Sequence, residues 1–238
     1  MEPRNDTPAE AEPRPVPDDA AAKDEHIVAC AARLFLCKGI EGIKMVDIAR
    51  EAQVGVATVY RHFSTKARIA VLAATLLWSQ FNERLMHLVE SQEFLACNGF
   101  DRLHLLLDTY CDAYARHSDF VAFVDEFDHL VLAGQLNKSD LDEYGAGIDS
   151  FYVVFEDAYR LGRSDGSIVR DVEFRPFYLS LAHALIGVAE KLHRGEIIPS
   201  DDFSTGLEEM NSLINMALWS LAGDARIPEL PAAVRTRG

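Results

Sequence analysis

The sequence predicts an all-α protein, with an N-terminal three-helix, helix-turn-helix domain and then a larger α-helical body, about nine to ten helices in total. Three observations predict it. Apolar residues recur at three- and four-residue spacing from Ile27 to Leu221, with no sustained alternation of the kind a half-buried strand requires. Breakers fall between the periodic stretches, at Gly39, Gly99, Ser118, Asn137, the Gly162–Gly166 turn and the Gly195–Asp202 loop. And from Gln53 to Val59 there is no charge at all, in a chain of which 26% is charged.

Residues 1–22 hold five of the nine prolines among acids and alanines, a composition that cannot bury enough apolar surface to offset the entropy of ordering. A disordered tail is expected there and a second loose end at 225–238. The first helix is expected over 21–38, where Ile27, Ala31, Leu34 and Phe35 share a stripe and Gly39 stands as the glycine that ends it. A short second helix at 45–52 shows Met45, Ile48, Ala49 and Ala52. A third at 56–62 places Val59 and Phe63 four apart, facing the core. Thr65 is the expected N-cap of a long fourth helix through Leu72, Leu76 and Leu77. Further helices are expected at about 82–95, 100–116, 119–134, 139–162, 173–194 and 202–222. The helix-turn-helix domain is therefore assigned to 23–70 and the helical body to 71–224.

A net charge of −15 over 238 residues argues against nucleic acid as a partner, but the charge is unevenly placed. Residues 1–23 carry −3 and 71–238 carry −14, whereas 24–70 carry +2. The four cysteines, Cys30, Cys37, Cys97 and Cys111, show no CxxC or Cys/His metal spacing and are expected as reduced, mostly buried thiols. The N-terminal stretch has no apolar signal region and no uncharged run is long enough to span a bilayer, so a cytoplasmic protein with no membrane association is expected. GxSxG, HExxH, P-loop and GxGxxG patterns are absent. We expect no enzyme activity, metal or cofactor.

Two short helices joined by a tight turn, the second presenting small residues, describe a helix-turn-helix. With Val59 and Phe63 turned inward, Ala57, Thr58, Arg61 and His62 point outward. The outer face of the third helix is then slim at its start and basic at its end. Such a helix can enter a DNA major groove while Tyr60, Arg61, His62 and Lys66 meet phosphates at the rim.

The run "DEHIVACAARLFLCKGIEGIKMVDIAREAQVGVATVYRHFSTKARIA" resembles the DNA-binding region of the tetracycline-repressor (TetR) family of bacterial transcription regulators. The resemblance rests on Phe35 with Gly39, Asp47-Ile48-Ala49, Val54, Thr58-Val59-Tyr60, His62-Phe63 and Thr65-Lys66, in register without a gap over about 47 residues. It implies groove or base contacts from Val56, Ala57, Thr58 and Arg61, with Gly55 at the helix start. It implies phosphate contacts from Lys44, Tyr60, His62 and Lys66. Two residues depart from the family pattern. Gln53 stands where glycine is usual, so the turn is expected to adopt a conformation that tolerates a side chain. Gly55 replaces the usual Ser/Thr cap. Because Val56 and Ala57 cannot hydrogen-bond, readout is expected to lean on thymine methyls, Thr58 and DNA shape.

The resemblance further implies a homodimer on a near-palindromic double-stranded DNA operator, most often as a repressor released by a small-molecule inducer. Candidate pocket residues are Trp78, Phe81, Tyr110, Tyr114, Arg116, Phe120, Phe123, Phe127, Phe155, Tyr159 and His183. The acidic body favours a neutral or cationic apolar inducer over an anion. On the helix at 173–194, Leu179, Ala182, Ile186 and Ala189 form a second apolar stripe roughly opposite the main one, and Met216 and Trp219 lie off the main stripe of the last helix. These six are the expected dimer interface. A rival reading comes from two Glu-x-x-His pairs, Glu126–His129 and Glu190–His193, the kind of set that holds a di-iron centre in a helical bundle. Both pairs fall away from the core stripes of their helices, and the sequence disfavours it.

Overall fold

The computed structural model describes residues 19–132, 136, 138–195 and 203–222. Among these there are ten helices and no strand. α1 (Ala20–Lys38), α2 (Met45–Glu51) and α3 (Val56–Phe63) form the N-terminal unit, and α4 (Lys66–Val89) leads out of it. The body continues with α5 (Gln92–Ala96), α6 (Gly99–Arg116), α7 (Ser118–Leu132), α8 (Lys138–Asp165), α9 (Phe174–His193) and α10 (Gly206–Ala222). The two expected tails lie outside the described residues except at one edge, where residues 20–22 belong to α1.

Local signals explain most helix ends. Gly39 closes α1 with a φ of 74°, a conformation glycine adopts without a Cβ penalty, and its N–H returns to the Phe35 carbonyl at 2.8 Å. Thr65 caps α4, its hydroxyl accepting from Arg68 N at 3.2 Å. Ser91 and Asn98 do the same for α5 and α6. One expected boundary is absent: α4 runs unbroken to Val89, so the helices assigned to 65–77 and 82–95 are largely one. Nothing between Ser79 and Leu85 is a glycine or proline, and the first real punctuation is the Ser91 cap.

Two hydrophobic cores result. The first holds Ile27, Phe35, Ile48, Val59, Phe63 and the N-terminal half of α4, but also Phe123, Val124 and Phe127 of α7. The rings of Phe35 and Phe123 stack at 6.4 Å. The second is built from α6, α8, α9 and α10 around Leu106, Phe155, Leu185 and Ile214. At its edge Gly99 lies so close to the Gly162 backbone that any side chain there would overlap it. Residue 70 is thus no gap between independent units, because α4 and α7 each contribute to the first core and continue into the body.

α9 corrects an expectation. Phe174, Tyr178, Leu181, Ala182, Leu185 and Ala189 are all buried in the body's own core, and Leu192 is buried as well. The two stripes read from the sequence are the flanks of one broad buried face. The opposite face carries Ser180, His183 and Gly187, exposed and small or polar.

Candidate nucleic-acid interface and adjoining cavity

α3 presents the face its sequence suggests. Val59 and Phe63 are 0% and 2% exposed and anchor it to α1, α2 and α4. Val56 and Tyr60 are 37% and 52% exposed, Ala57 and Arg61 are also exposed, and Thr58 is half-buried. Gly55 has the extended backbone of an N-cap residue, and with no side chain to offer, its carbonyl accepts from Thr58 N at 2.9 Å. Gln53 overturns an expectation. Its φ is 55°, so the turn keeps the left-handed conformation that favours glycine and forces a glutamine into it.

Two residues expected at phosphates are held elsewhere. Lys66 Nζ donates to the carbonyls of Ile40 at 2.7 Å and Ile43 at 2.9 Å, tying the α1–α2 loop to the start of α4. His62 Nδ1 lies 2.5 Å from Asp24 Oδ1 of α1, half-buried between helices. Arg61 keeps its guanidinium outside, 3.4 Å from His62 Nε2, while Glu51 pairs with Arg33 at 3.6 Å. Lys44 is exposed at the start of α2, its backbone N–H bound to Asp47 Oδ2 at 3.0 Å.

The same α1–α2 loop is gripped from its other side. Glu126 of α7 accepts from the backbone N–H of Ile40 and, at 3.4 Å, of Glu41, and its carboxylate fills the space a Cβ on Gly39 would need. A carboxylate takes the loop's amides and an ammonium takes its carbonyls, so both ends of the local dipole are met by charge. In the sequence Glu126 stands out only as half of a Glu-x-x-His pair. A contact across 86 positions leaves no local pattern.

Beside this junction lies an apolar cavity, partly open to solvent. Trp78 and Phe81 of α4, Tyr110 and Ala113 of α6, Phe120, Val121 and Val124 of α7, Leu185, Ile186, Ala189 and Glu190 of α9 and Met210 of α10 line it. Four of the expected pocket residues are therefore in place: Trp78, Phe81, Tyr110 and Phe120. The other seven are not. Phe123 and Phe127 are buried in the first core and Phe155 in the second. Tyr159 is bound to Asp171 and Val172, and Tyr114 packs against the second core. Arg116 is exposed and paired with Asp112 at 3.0 Å, and His183 is exposed on the outer face of α9. An aromatic on a helix can face core or cavity, and the sequence does not distinguish them.

The polar groups at the cavity are few. Tyr110 Oη and Tyr178 Oη are 3.1 Å apart, and burial pushes both phenols up, Tyr178 to about 12. Trp78 Nε1 donates to Tyr144 Oη at 3.0 Å. Glu190 has its carboxyl raised, first by burial and then by Asp125 and Asp128. Arg194 donates to Asp125 from Nε at 3.0 Å and again from Nη2, which holds the Asp125 carboxyl below its usual range.

The six expected interface residues divide. Met216 and Trp219 are 55% and 49% exposed on α10. Ala182 and Ala189 are buried within the chain, Leu179 is half-buried against the same core, and Ile186 lines the cavity. The Glu-x-x-His pairs do not converge: Glu126 serves the loop, His129 Nδ1 lies 2.7 Å from the Asp125 carbonyl, and Glu190 faces the cavity. Among the described residues, no group of three or more His, Cys, Asp or Glu is arranged to hold a metal ion, and no helix is long and apolar enough to cross a membrane.

A short exposed helix, anchored by Val59 and Phe63 and set behind a tight turn from α2, has the geometry of a helix-turn-helix unit. Residues 27–72 match the family described as bacterial regulatory proteins, tetR family, so the chain carries a tetR-family helix-turn-helix region. No functionally curated protein matches the chain. Solved structures with the same fold include a TetR transcription regulator from Haloarcula marismortui, 18% identical, with a TM-score of 0.65 over 84% of this chain and 98% of that one. A protein from Saccharomonospora viridis, described as a transcriptional regulator and in complex with choline, is 19% identical, with a TM-score of 0.64 over 82% and 96%. The regulator FadR from Bacillus subtilis, in complex with stearoyl-CoA, is 15% identical, with a TM-score of 0.55 over 82% and 97%.

Proposed function

We propose that this chain is a ligand-responsive, homodimeric transcriptional regulator of the cytoplasm, a repressor that binds a near-palindromic operator and is released by a small molecule. The observation that carries the reading is the outer face of α3, where Val56, Ala57, Tyr60 and Arg61 are exposed around a core-anchored Val59 and Phe63. Val56, Ala57 and Thr58 would meet base edges, with Gly55 allowing close approach and Lys44, Tyr60 and Arg61 at the backbone. Lys66 and His62 would support the unit from within.

Release would use α4 and α7. Each lines the cavity, with Trp78 and Phe81 or Phe120 and Val124, and each also packs into the N-terminal core, with Ala74 and Leu77 or Phe123 and Phe127. A ligand that prefers the arrangement unable to span two major grooves about 34 Å apart shifts the population, with a coupling of about 1–3 kcal/mol. The ligands of two similarly folded proteins, choline and stearoyl-CoA, differ in charge and size, so the fold leaves ligand chemistry to the lining.

The test is selection of bound fragments from random DNA by the full chain at fixed salt. Recovery of a near-palindrome with A·T pairs opposite Val56 and Ala57 supports the reading. A chain that enriches no sequence, or one with no two-fold relation, refutes it.

A further inference from the structure

The cavity between α4, α6, α7, α9 and α10 carries one charge, and that charge lacks a full partner. Glu190 is the only ionisable carboxylate or cation among its described lining residues, the rest being apolar or aromatic with a single phenol, Tyr110, already bonded to Tyr178. Arg194 is shared between it and a second acid. Its guanidinium makes two hydrogen bonds to Asp125 and comes within only 3.9 Å of Glu190. Asp128 adds further negative charge nearby and has its own carboxyl raised by burial. His129 is turned to Asp125, and His193 lies exposed at the end of α9.

A carboxylate at an apolar wall selects among ligands by what each leaves behind. An anion meets Glu190, Asp125 and Asp128, while Arg194 is committed to Asp125 and Arg84 is held over the Phe81 ring at 5.6 Å. A neutral apolar molecule covers Glu190 and strips its water without supplying a partner, which is costly for a buried charge. A cation supplies the missing charge. In the same lining, the rings of Trp78, Phe81 and Phe120 lie 5.2 to 5.9 Å apart in a cluster whose electron-rich surfaces attract organic cations, as the Phe81 ring already does the Arg84 guanidinium at 5.6 Å.

We propose that this cavity takes an apolar monocation, an alkyl- or arylammonium, with its charge at Glu190 and its body against Trp78, Phe81 and Phe120. The proposal rests on the cavity being the ligand site of the function above, and its test needs no DNA. The full chain is titrated with 4-phenylbutyltrimethylammonium, 4-phenylbutanol and 4-phenylbutyrate, which share one body and differ in charge. The expected order is cation, then alcohol, then anion, the cation binding about tenfold tighter than the alcohol. Glu190→Gln, confirmed folded by its melting curve, is expected to bring the cation down to the alcohol's affinity and leave the alcohol unweakened. Phe120→Leu, a second and milder change, is expected to weaken the cation several-fold more than the alcohol. The proposal is overturned if the anion binds as well as the cation, if the preference survives Glu190→Gln, or if none of the three binds. An operator recovered alongside such a failure leaves the DNA-binding reading standing.

Discussion

A lysine at the start of a helix beside the proposed DNA-facing surface invites assignment to a phosphate, and Lys66 shows why the ammonium's partners matter more than its position. It binds the carbonyls of Ile40 and Ile43, so its removal leaves two part-buried acceptors short of a charged donor. Lys66→Ala is expected to lower stability by about 1–3 kcal/mol, while the salt dependence of DNA binding by the folded fraction stays unchanged. Lys44→Ala should do the reverse, leaving the melting curve alone and reducing the salt slope by about 0.9 for each phosphate that is no longer neutralised. Equal salt slopes for Lys44→Ala and wild type would remove Lys44 from the interface. Gln53 offers a gain. Its left-handed backbone costs about 1–2 kcal/mol, and Gln53→Gly relieves this but adds about 0.5–1 kcal/mol of unfolded-chain entropy. A net stabilisation of about 0.5 kcal/mol is expected by denaturant titration, and a loss would show that glutamine sits in this turn without strain.

At the scale of elements, α7 joins the cavity to the N-terminal unit, because its Phe120 and Val124 meet the cavity while its Glu126 holds the α1–α2 loop. Glu126→Ala strips a charged acceptor from the Ile40 amide and is expected to cost about 1–3 kcal/mol. More tellingly, ligand should then release DNA less effectively, the coupling falling by about 0.5–2 kcal/mol, with ligand affinity for the free protein little changed. Gly39→Ala is damaging on two counts, positive φ and overlap with the Glu126 carboxylate. The overlap disappears in the Glu126→Ala background, so the two changes should combine to less than their sum. On the other side of α7, the depressed Asp125 carboxyl gives an acid-labile tie to α9. A lowered folded pKa contributes stability above the ordinary carboxylate range, about pH 4, that is lost as pH falls through the folded value. Arg194→Gln should flatten that part of the stability–pH curve.

For the whole molecule, the helices and the exposed side of α3 are legible in the sequence because they are local: Gly39 stops α1, Thr65 starts α4, and Val59 and Phe63 define an inner side by spacing alone. The clamp of Glu126 and Lys66 on one loop is not legible there, nor is Glu190 at the cavity, since these depend on side chains brought together across the fold. The division of α9 into two stripes fails for a related reason. A broad buried arc has two flanks, and periodicity reads them as separate stripes, so it assigns Ala182 and Ala189 to a partner although they are buried in their own chain. What remains for a two-fold partner is α10, where Met216 and Trp219 stand exposed together with Leu207 at 41%, and the small outer face of α9 at Ser180 and Gly187, where a second helix can approach closely. Trp219→Glu changes an exposed side chain, so the protomer should keep its stability to within about 0.5 kcal/mol. Its partner, however, would have to bury a charge in place of an indole. Sedimentation velocity should find wild type as a dimer and Trp219→Glu as a monomer with an unchanged helical spectrum, and the variant should bind a full operator no more tightly than a half-site. Ala182→Glu should instead unfold the protomer, because that residue packs against its own core. A dimer that survives Trp219→Glu would move the two-fold axis away from α10 and with it the groove spacing the proposed operator binding requires, and a wild-type chain that sediments as a monomer would remove that axis altogether.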